Sequence, residues 1–300
     1  MELKQIEYFV RVAELGSFTQ ASIALDVAQS ALSRHVRLLE TELGKNLLIR
    51  NGRGVTLTEA GKVLLEHGRG VMHQLDRLHE ELAREKAGLV GKVALGLPSS
   101  LTKVLAVPLL RSFRSTLPDA VISISEGLSF NMQQAVIDGR LDVAMLYDAS
   151  PSPDIDLKPV IMQSLYLVQP RPGDQEIGPI ELRNLPDIPL VIPRRPNMIR
   201  MHVETELASL GLHPQIAIEV DAISAILDLI IEGAGSGVLP YSTIHAFGRP
   251  ESFNVRPIIN PRILTQLSVA VSAHRPATQV QRNLIELIEA KVHELINPSD

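Results

Sequence analysis

Apolar positions in the first ninety residues recur at helical steps. Leu3, Ile6, Phe9, Val10 and Ala13 fall on one side of a helix predicted over residues 1–15. The stretch SFTQASIALDVAQSALSRHVRLLETELG, Ser17 to Gly44, predicts two short helices around a turn at Asp26 and Val27. Ser17, behind Gly16, suits an N-cap, and Ala21 and Ala24 give the first helix a small face that ends near Leu25. In the second helix Leu32, Val36, Leu39 and Leu43 form one apolar stripe, and Gln29, Ser30, Ser33, Arg34 and Arg37 occupy the opposite side. LLIRNGRGVTLTEAG follows, which predicts two short strands around a basic turn at Asn51–Gly54 and a new helix from Thr58. In that helix Leu64, Gly68, Val71, Leu75, Leu78 and Leu82 recur at coiled-coil spacing, until Gly88 and Gly91 mark a hinge over 86–91.

Beyond Lys92 the pattern becomes one of short apolar runs alternating with helical stretches. Strands are expected at 93–98, 121–127, 141–147, 165–170, 189–193, 215–220, 237–240 and 267–273. Helices are expected from about Ser99, over 132–139, 200–210 and 222–233, and over 279–296 with Leu284, Ile288, Val292 and Leu295 as the stripe. This βαβ rhythm implies a parallel sheet with helices on both faces. It restarts near 165, so two α/β lobes joined by crossovers near 162–166 and 262–267 are expected, with a cleft between them.

Composition narrows the chemistry. The 300 residues are 45% hydrophobic and include no cysteine, which excludes disulfides, thiolate metal sites and thiol redox sensing. No run is apolar for long enough to span a bilayer, and no apolar run follows a basic start, so a cytoplasmic protein without membrane contact is expected. His67, His73 and His79 step by six and do not share a helix face, so no metal and no cofactor is expected. The net charge of −5 is unevenly spread. Residues 1–62 carry eight basic and seven acidic side chains, while 29–53 alone carry five and two. The positive charge is local to the second helix and the hairpin, a small footprint of the type that meets phosphate.

An amphipathic helix with a solvated face explains the Gln29–Arg37 pattern by itself. The hairpin behind it changes the balance, because arginines at such a tip can lie along phosphates or enter a minor groove while the helix enters the major groove. Residues 3–61 resemble the winged helix-turn-helix of the LysR-type transcriptional regulators. The resemblance is carried by Phe9, Gly16-Ser17-Phe18-Thr19, Ala21, Leu25, Gln29 through Arg34, Leu38-Leu39-Glu40, Leu43-Gly44, Leu47, Arg50, Gly54-Val55 and Leu57 through Gly61. Ala28, Ser30 and His35 depart from that family's pattern. The resemblance implies DNA contacts by Thr19, Gln29, Ser30, Ser33, Arg34, His35, Arg37, Arg50 and Arg53. It also implies pairing through Leu64, Val71, Leu75, Leu78 and Leu82 into a homodimer or homotetramer on double-stranded promoter DNA.

EG at 126–127, GRLDVAML at 139–146 and GAGSGVLP at 233–240 resemble the effector domain of the same family, which is similar to periplasmic binding proteins. The fold class that follows is α+β, with a winged helix-turn-helix over 1–58, a linker and dimerisation helix with hinge over 59–90, and an effector-binding domain over 91–300. Within it, lobe I is 91–162 with 267–300 and lobe II is 163–266. A small-molecule effector is expected beyond strand ends, on Ser99, Ser100, Leu101, Thr102, Ser129, Pro196, Asn197, Met198 and Arg200. The hydroxyls and helix starts there suit an anion, with Arg200 as charge partner. The serines and Asn197 can equally be plain helix caps, and Glu126 and Asp221 near the same rim would oppose an anion. GAGSG lacks the third glycine of a dinucleotide turn and leads into a strand, so it reads as a turn. Two other functions compete. An enzyme finds no HExxH, GxSxG or P-loop here, and a solute-binding protein finds no signal peptide. LLIRNGRGVTLTEAGK and LDVAMLY also resemble the branch that includes nitrogen-assimilation-control regulators.

Overall fold

The computed structural model describes residues 1–51, 54–83, 91–171 and 178–296, without the side chains of residues 51, 77 and 80–83. It divides into two units, one built on the first four helices and the first hairpin, the other on every element after them.

In the first unit α1 spans Leu3–Leu15, α2 Phe18–Ala24 and α3 Gln29–Leu43. Gly16 and Gly44 end α1 and α3 in the left-handed region, at φ 61° each, where a Cβ is disfavoured. Ser17 Oγ accepts the Gln20 N–H at 3.3 Å and starts α2. Phe9, Val12, Ala21, Leu32, Val36 and Leu39 are fully buried and form the core of the three helices. Leu43 does not complete the predicted stripe, because it lies in the last turn beyond α1 and is exposed. Strands β1 (Leu48–Asn51) and β2 (Gly54–Leu57) pair antiparallel, Arg50 opposite Val55.

Helix α4 runs Glu59–Ala83. Thr58 starts it: its Oγ1 accepts the Gly61 N–H at 3.0 Å and donates to Asn46 O at 2.7 Å. A Cβ on Gly61 would fall 2.0 Å from Leu47 O, and one on Gly68 would fall 2.9 Å from Val10 Cγ2. The helix therefore begins pressed against the hairpin and α1. Leu64 packs into this same core, which removes it from the predicted intermolecular seam. Val71 and Leu78 further along are 40% and 50% exposed, and Leu75 is half-buried. Arg53, the expected hinge residues 86–90 and the Leu82 side chain lie outside the described residues.

The second unit contains β3 (Gly91–Pro98), α5 (Ser99–Thr116), β4 (Ala120–Gly127), α6 (Ser129–Ile137), β5 (Val143–Tyr147) and β6 (Ile155–Pro170). Then come β7 (Ile180–Glu181), β8 (Leu190–Ile192), α7 (Met198–Ser209), β9 (Ile216–Glu219), α8 (Ile223–Ile231) and β10 (Gly237–Pro240). The chain ends with α9 (Tyr241–Phe247), β11 (Phe253–Ile259), β12 (Leu264–Ser272) and α10 (Gln279–Ile296). The main sheet has the order β4-β3-β5-β12-β6-β11-β7, with β10 also on β6.

The expected all-parallel arrangement is corrected here. β3 is parallel to β4 and β5, but β12 is antiparallel to β5 and β6, and β6 is antiparallel to β10 and β11. β6 begins ten residues before the predicted start at 165 and passes unbroken from one lobe to the other. Its first half was hidden by Pro159, which cannot donate to a ladder. The structure accommodates it where the β6–β12 register shifts, between Leu267 opposite Ile161 and Ser268 opposite Pro159. The return crossing is tied to it by the Leu165 N–H donating to Ile263 O at 2.9 Å. One core, with Leu95, Leu105, Phe113, Met145 and Leu284, lies under α5 and α10. Others, with Leu185, Val203 and Leu207 and with Val191, Ile226 and Leu239, lie in the second lobe. The GAGSG run is a turn into β10, as read from the sequence, with Gly233 at φ 76°.

Candidate nucleic-acid interface and ligand cavity

Helix α3 presents Gln29, Ser30, Arg34 and Arg37 exposed, opposite the buried Leu32, Val36 and Leu39. Neither the Arg34 nor the Arg37 guanidinium has an ion-pair partner among the described residues. Arg50, on β1, reaches this face: both its terminal nitrogens sit 3.3 Å from Ser33 Oγ, and its guanidinium lies 4.5 Å above the Phe18 ring. Thr19, at the start of α2, meets Gln29 at 3.4 Å between Oγ1 and Oε1. Thr19, Gln29, Ser33 and Arg50 thus form one continuous polar surface across α2, α3 and the hairpin. Ala28 provides no side-chain cap for α3, as its methyl dictates.

His35 does not belong to this surface. One residue past Arg34 the helix has turned by about 100°, and the His35 ring packs edge-on against Tyr8, 5.3 Å between centroids. A contact that the sequence reading did not assign is made by Glu40. Its Oε1 accepts the backbone N–H groups of Leu47 and Leu48 at 2.8 and 3.2 Å, fixing the hairpin to α3. The signal was present in the single carboxylate four residues before a glycine-terminated helix end, but its target lies on the following strand.

In the second unit a cavity of about 260 Å³ is lined by Ser99, Ser100, Thr102, Lys103 and Glu126 on one side and by Ala222, Ile223, Ser224, Leu227, Thr243 and Phe247 on the other. The starts of α5 and α8 meet there. The serines and Thr102 at the start of α5 are in place. Ser100 is buried and donates to the Tyr147 hydroxyl at 3.4 Å; burial is the main reason the Tyr147 phenol is pushed up to about 12. Leu101 is fully buried in the lobe core and does not reach the cavity. Ser129 Oγ is spent as acceptor of the Tyr147 N–H at 3.0 Å.

The expected contribution of the α7 start is corrected. Asn197 Oδ1 caps α7, accepting the Arg200 N–H at 3.2 Å, and Pro196 is exposed. Met198 packs on the first lobe's core. Arg200, 7% exposed, is committed inside its own lobe: Nε donates to Glu204 at 2.8 Å, and Nη1 to Glu219 and to Pro193 O. A guanidinium so engaged is not a charge partner for a ligand. Asp221 is likewise held by Arg194, through Nε and the backbone N–H at 2.9 Å each. The second wall comes instead from α8 and α9. Lys103 was readable one turn after Ser99. Thr243 was not, because α9 has only seven residues and shows no periodicity of its own.

The two lobes also share an ion pair. His202 Nε2, on α7, sits 2.8 Å from Asp148 Oδ2 at the end of β5. Asp148 also accepts the Gln266 N–H at 2.8 Å and the Thr265 hydroxyl. Burial works against the Asp148 carboxylate, but the bonds from His202, Gln266 and Thr265 outweigh it and hold its pKa below the usual value. The His202 imidazole is raised by its bond to Asp148, against partial burial.

A winged helix-turn-helix with a two-lobed, cavity-bearing α/β unit defines a ligand-linked DNA-binding protein. The family comparisons agree. Residues 3–62 match the description "Bacterial regulatory helix-turn-helix protein, lysR family" and residues 86–292 match "LysR substrate binding domain". The chain belongs to the LysR family: it is a sequence-specific DNA-binding transcriptional regulator with an effector-binding domain, not an enzyme. It is 33% identical over 277 residues to the nitrogen assimilation regulatory protein nac of Klebsiella aerogenes, covering 91% of this chain and 89% of that protein. Against the protein of the same name from Escherichia coli K12 it is 29% identical over 301 residues, covering 98% and 97%. Among solved structures it is similar to CbnR, a LysR family transcriptional regulator, with TM-score 0.71 and 25% identity over 97% of this chain and 99% of that one. Among the described residues, no helix is long and apolar enough to cross a membrane.

Proposed function

We propose that the surface formed by Thr19, Gln29, Ser30, Ser33, Arg34, Arg37 and Arg50 reads promoter DNA together with Arg53, and that a small anionic effector in the α5–α8 cavity modulates that binding. The observation that carries the DNA reading is that Arg34 and Arg37, whose guanidiniums have no ion-pair partner among the described residues, share a helix face continuous with Arg50. Buried cations seek partners, whereas exposed ones without partners on a polar helix face are poised for phosphates and base edges. The anion reading is supported by the two helix starts and Lys103 at one cavity. Domain limits of 1–58, 59–90 and 91–300, a cytoplasmic location, and pairing through α4 into a homodimer or homotetramer complete the reading. The similarity to the two nac proteins favours a place in the nitrogen-assimilation-control branch.

The test is a gel-shift titration on the DNA upstream of the protein's own gene, comparing the parent with Arg34→Ala. Losing one base-reading arginine is expected to cost about 1–3 kcal/mol, roughly 10- to 100-fold in affinity. Equal binding by parent and variant would remove α3 from the interface.

A further inference from the structure

The α5–α8 cavity holds more than a simple anion would use. Its two helices, of 18 and 9 residues, start at Pro98 and Ala222, neither of which provides a side-chain cap. Thr243 is 4% exposed, lines the cavity, and its Oγ1 has no hydrogen-bond partner among the described residues. A buried hydroxyl left this way is unfavourable until a bound molecule supplies the partner. Lys103 is turned toward α9, with Nζ 3.4 Å from Phe247 O and 4.6 Å from the Phe247 ring centroid. Glu126, on the same lining, has no ion-pair partner among the described residues. Lys103 and Glu126, both exposed, line the cavity with opposite charges, so it offers a monoanion no net positive charge.

We propose that the cavity takes a small zwitterion, an α-amino acid with an aliphatic side chain. This rests on the reading above that the helix starts hold an anionic group, and replaces a net anion by a neutral molecule that carries one. The carboxylate lies at the helix starts with the Thr243 hydroxyl, the ammonium meets Glu126, and the side chain lies on Ile223, Leu227 and Phe247. The volume of about 260 Å³ is below the usual range for drug-sized ligands and suits a molecule of this size.

The experiment uses the full chain, with thermal shift and calorimetry against L-leucine, L-valine and L-isoleucine. Two half-ligands accompany them: 4-methylpentanoate, which lacks the ammonium, and 3-methylbutylamine, which lacks the carboxylate. At least one amino acid is expected to raise Tm with concentration, and both half-ligands to bind at least ~10-fold more weakly. Thr243→Val is expected to weaken the amino acid by ~10-fold. Glu126→Gln is expected to erase the preference for the amino acid over 4-methylpentanoate, a readout that misfolding would not produce. If 4-methylpentanoate binds the parent as tightly as every amino acid, the zwitterion is overturned and the anion site stands. If none of the compounds shifts Tm, the aliphatic amino acid is overturned; if 3-methylbutylamine binds best, the anion site is overturned as well.

Discussion

Single residues carry two separable tasks in the first unit, and Glu40 shows the structural one. It accepts two backbone N–H groups that would otherwise be left without a partner near the core. Glu40→Ala is expected to destabilise this unit by about 1–3 kcal/mol, read as a lower denaturation midpoint, while its DNA preference stays the same. His202 shows a titrating role in the second unit. Its folded pKa is raised, so the stability it contributes is complete below about pH 6.5 and is lost as pH rises through the folded value. Asp148 is depressed, so its share is present above about pH 4 and disappears as pH falls through its folded value. Melting curves from pH 5.5 to 9 are expected to show a parent advantage over His202→Gln that shrinks as pH rises. A gap constant with pH would mean that the pair does not titrate in this range. Much at this scale was legible in the chain: the exposed Gln29, Ser30, Arg34 and Arg37 follow directly from the stripe of Leu32, Val36 and Leu39. His35 was misplaced because resemblance assigns positions by alignment, whereas 100° per residue puts it against Tyr8. Arg200 was misplaced because a sequence does not show which carboxylates, here Glu204 and Glu219, fold back on a cation.

At the scale of elements, α4 divides by what each part touches. Its first three turns are pressed on the hairpin and α1, where Gly61 and Gly68 allow backbone approach that a methyl would block. Further along, Val71 and Leu78 lie seven residues apart on one side and are exposed. The proposed pairing through this 25-residue helix would cover that stripe with a second copy. Leu78→Asp is expected to shift the chain toward monomer in sedimentation velocity with little change in Tm of the separated unit. Leu64→Ala is expected to do the reverse, costing about 2–5 kcal/mol of stability without changing the assembly. The strands and helices with clear periodicity were readable in the sequence. The unread ones were α9, too short for a period, the two-residue β7, β11, and the first half of β6, where a proline sits at a bulge.

For the molecule as a whole, charge is the property that the sequence states and the fold explains. An acidic chain of net charge −5 concentrates its cations at 29–53, and the fold places Arg34, Arg37 and Arg50 on neighbouring exposed positions there. Few phosphates can be neutralised by so small a footprint. The salt dependence of operator binding is therefore expected to be shallow, with log K falling by about 0.9 per phosphate contacted for each tenfold rise in salt, and Arg37→Gln is expected to reduce the slope by about 1. A steep slope unaffected by Arg37→Gln would place the main phosphate contacts elsewhere.

Because β6 crosses between the lobes as one paired strand, bulged near Pro159, and the returning chain is bonded to it at Leu165, neither lobe hangs on slack connections. A change in the angle between them has to be taken up as torsion within paired backbone. A small molecule that altered that angle would have to do the twisting work against those hydrogen bonds out of its own binding energy.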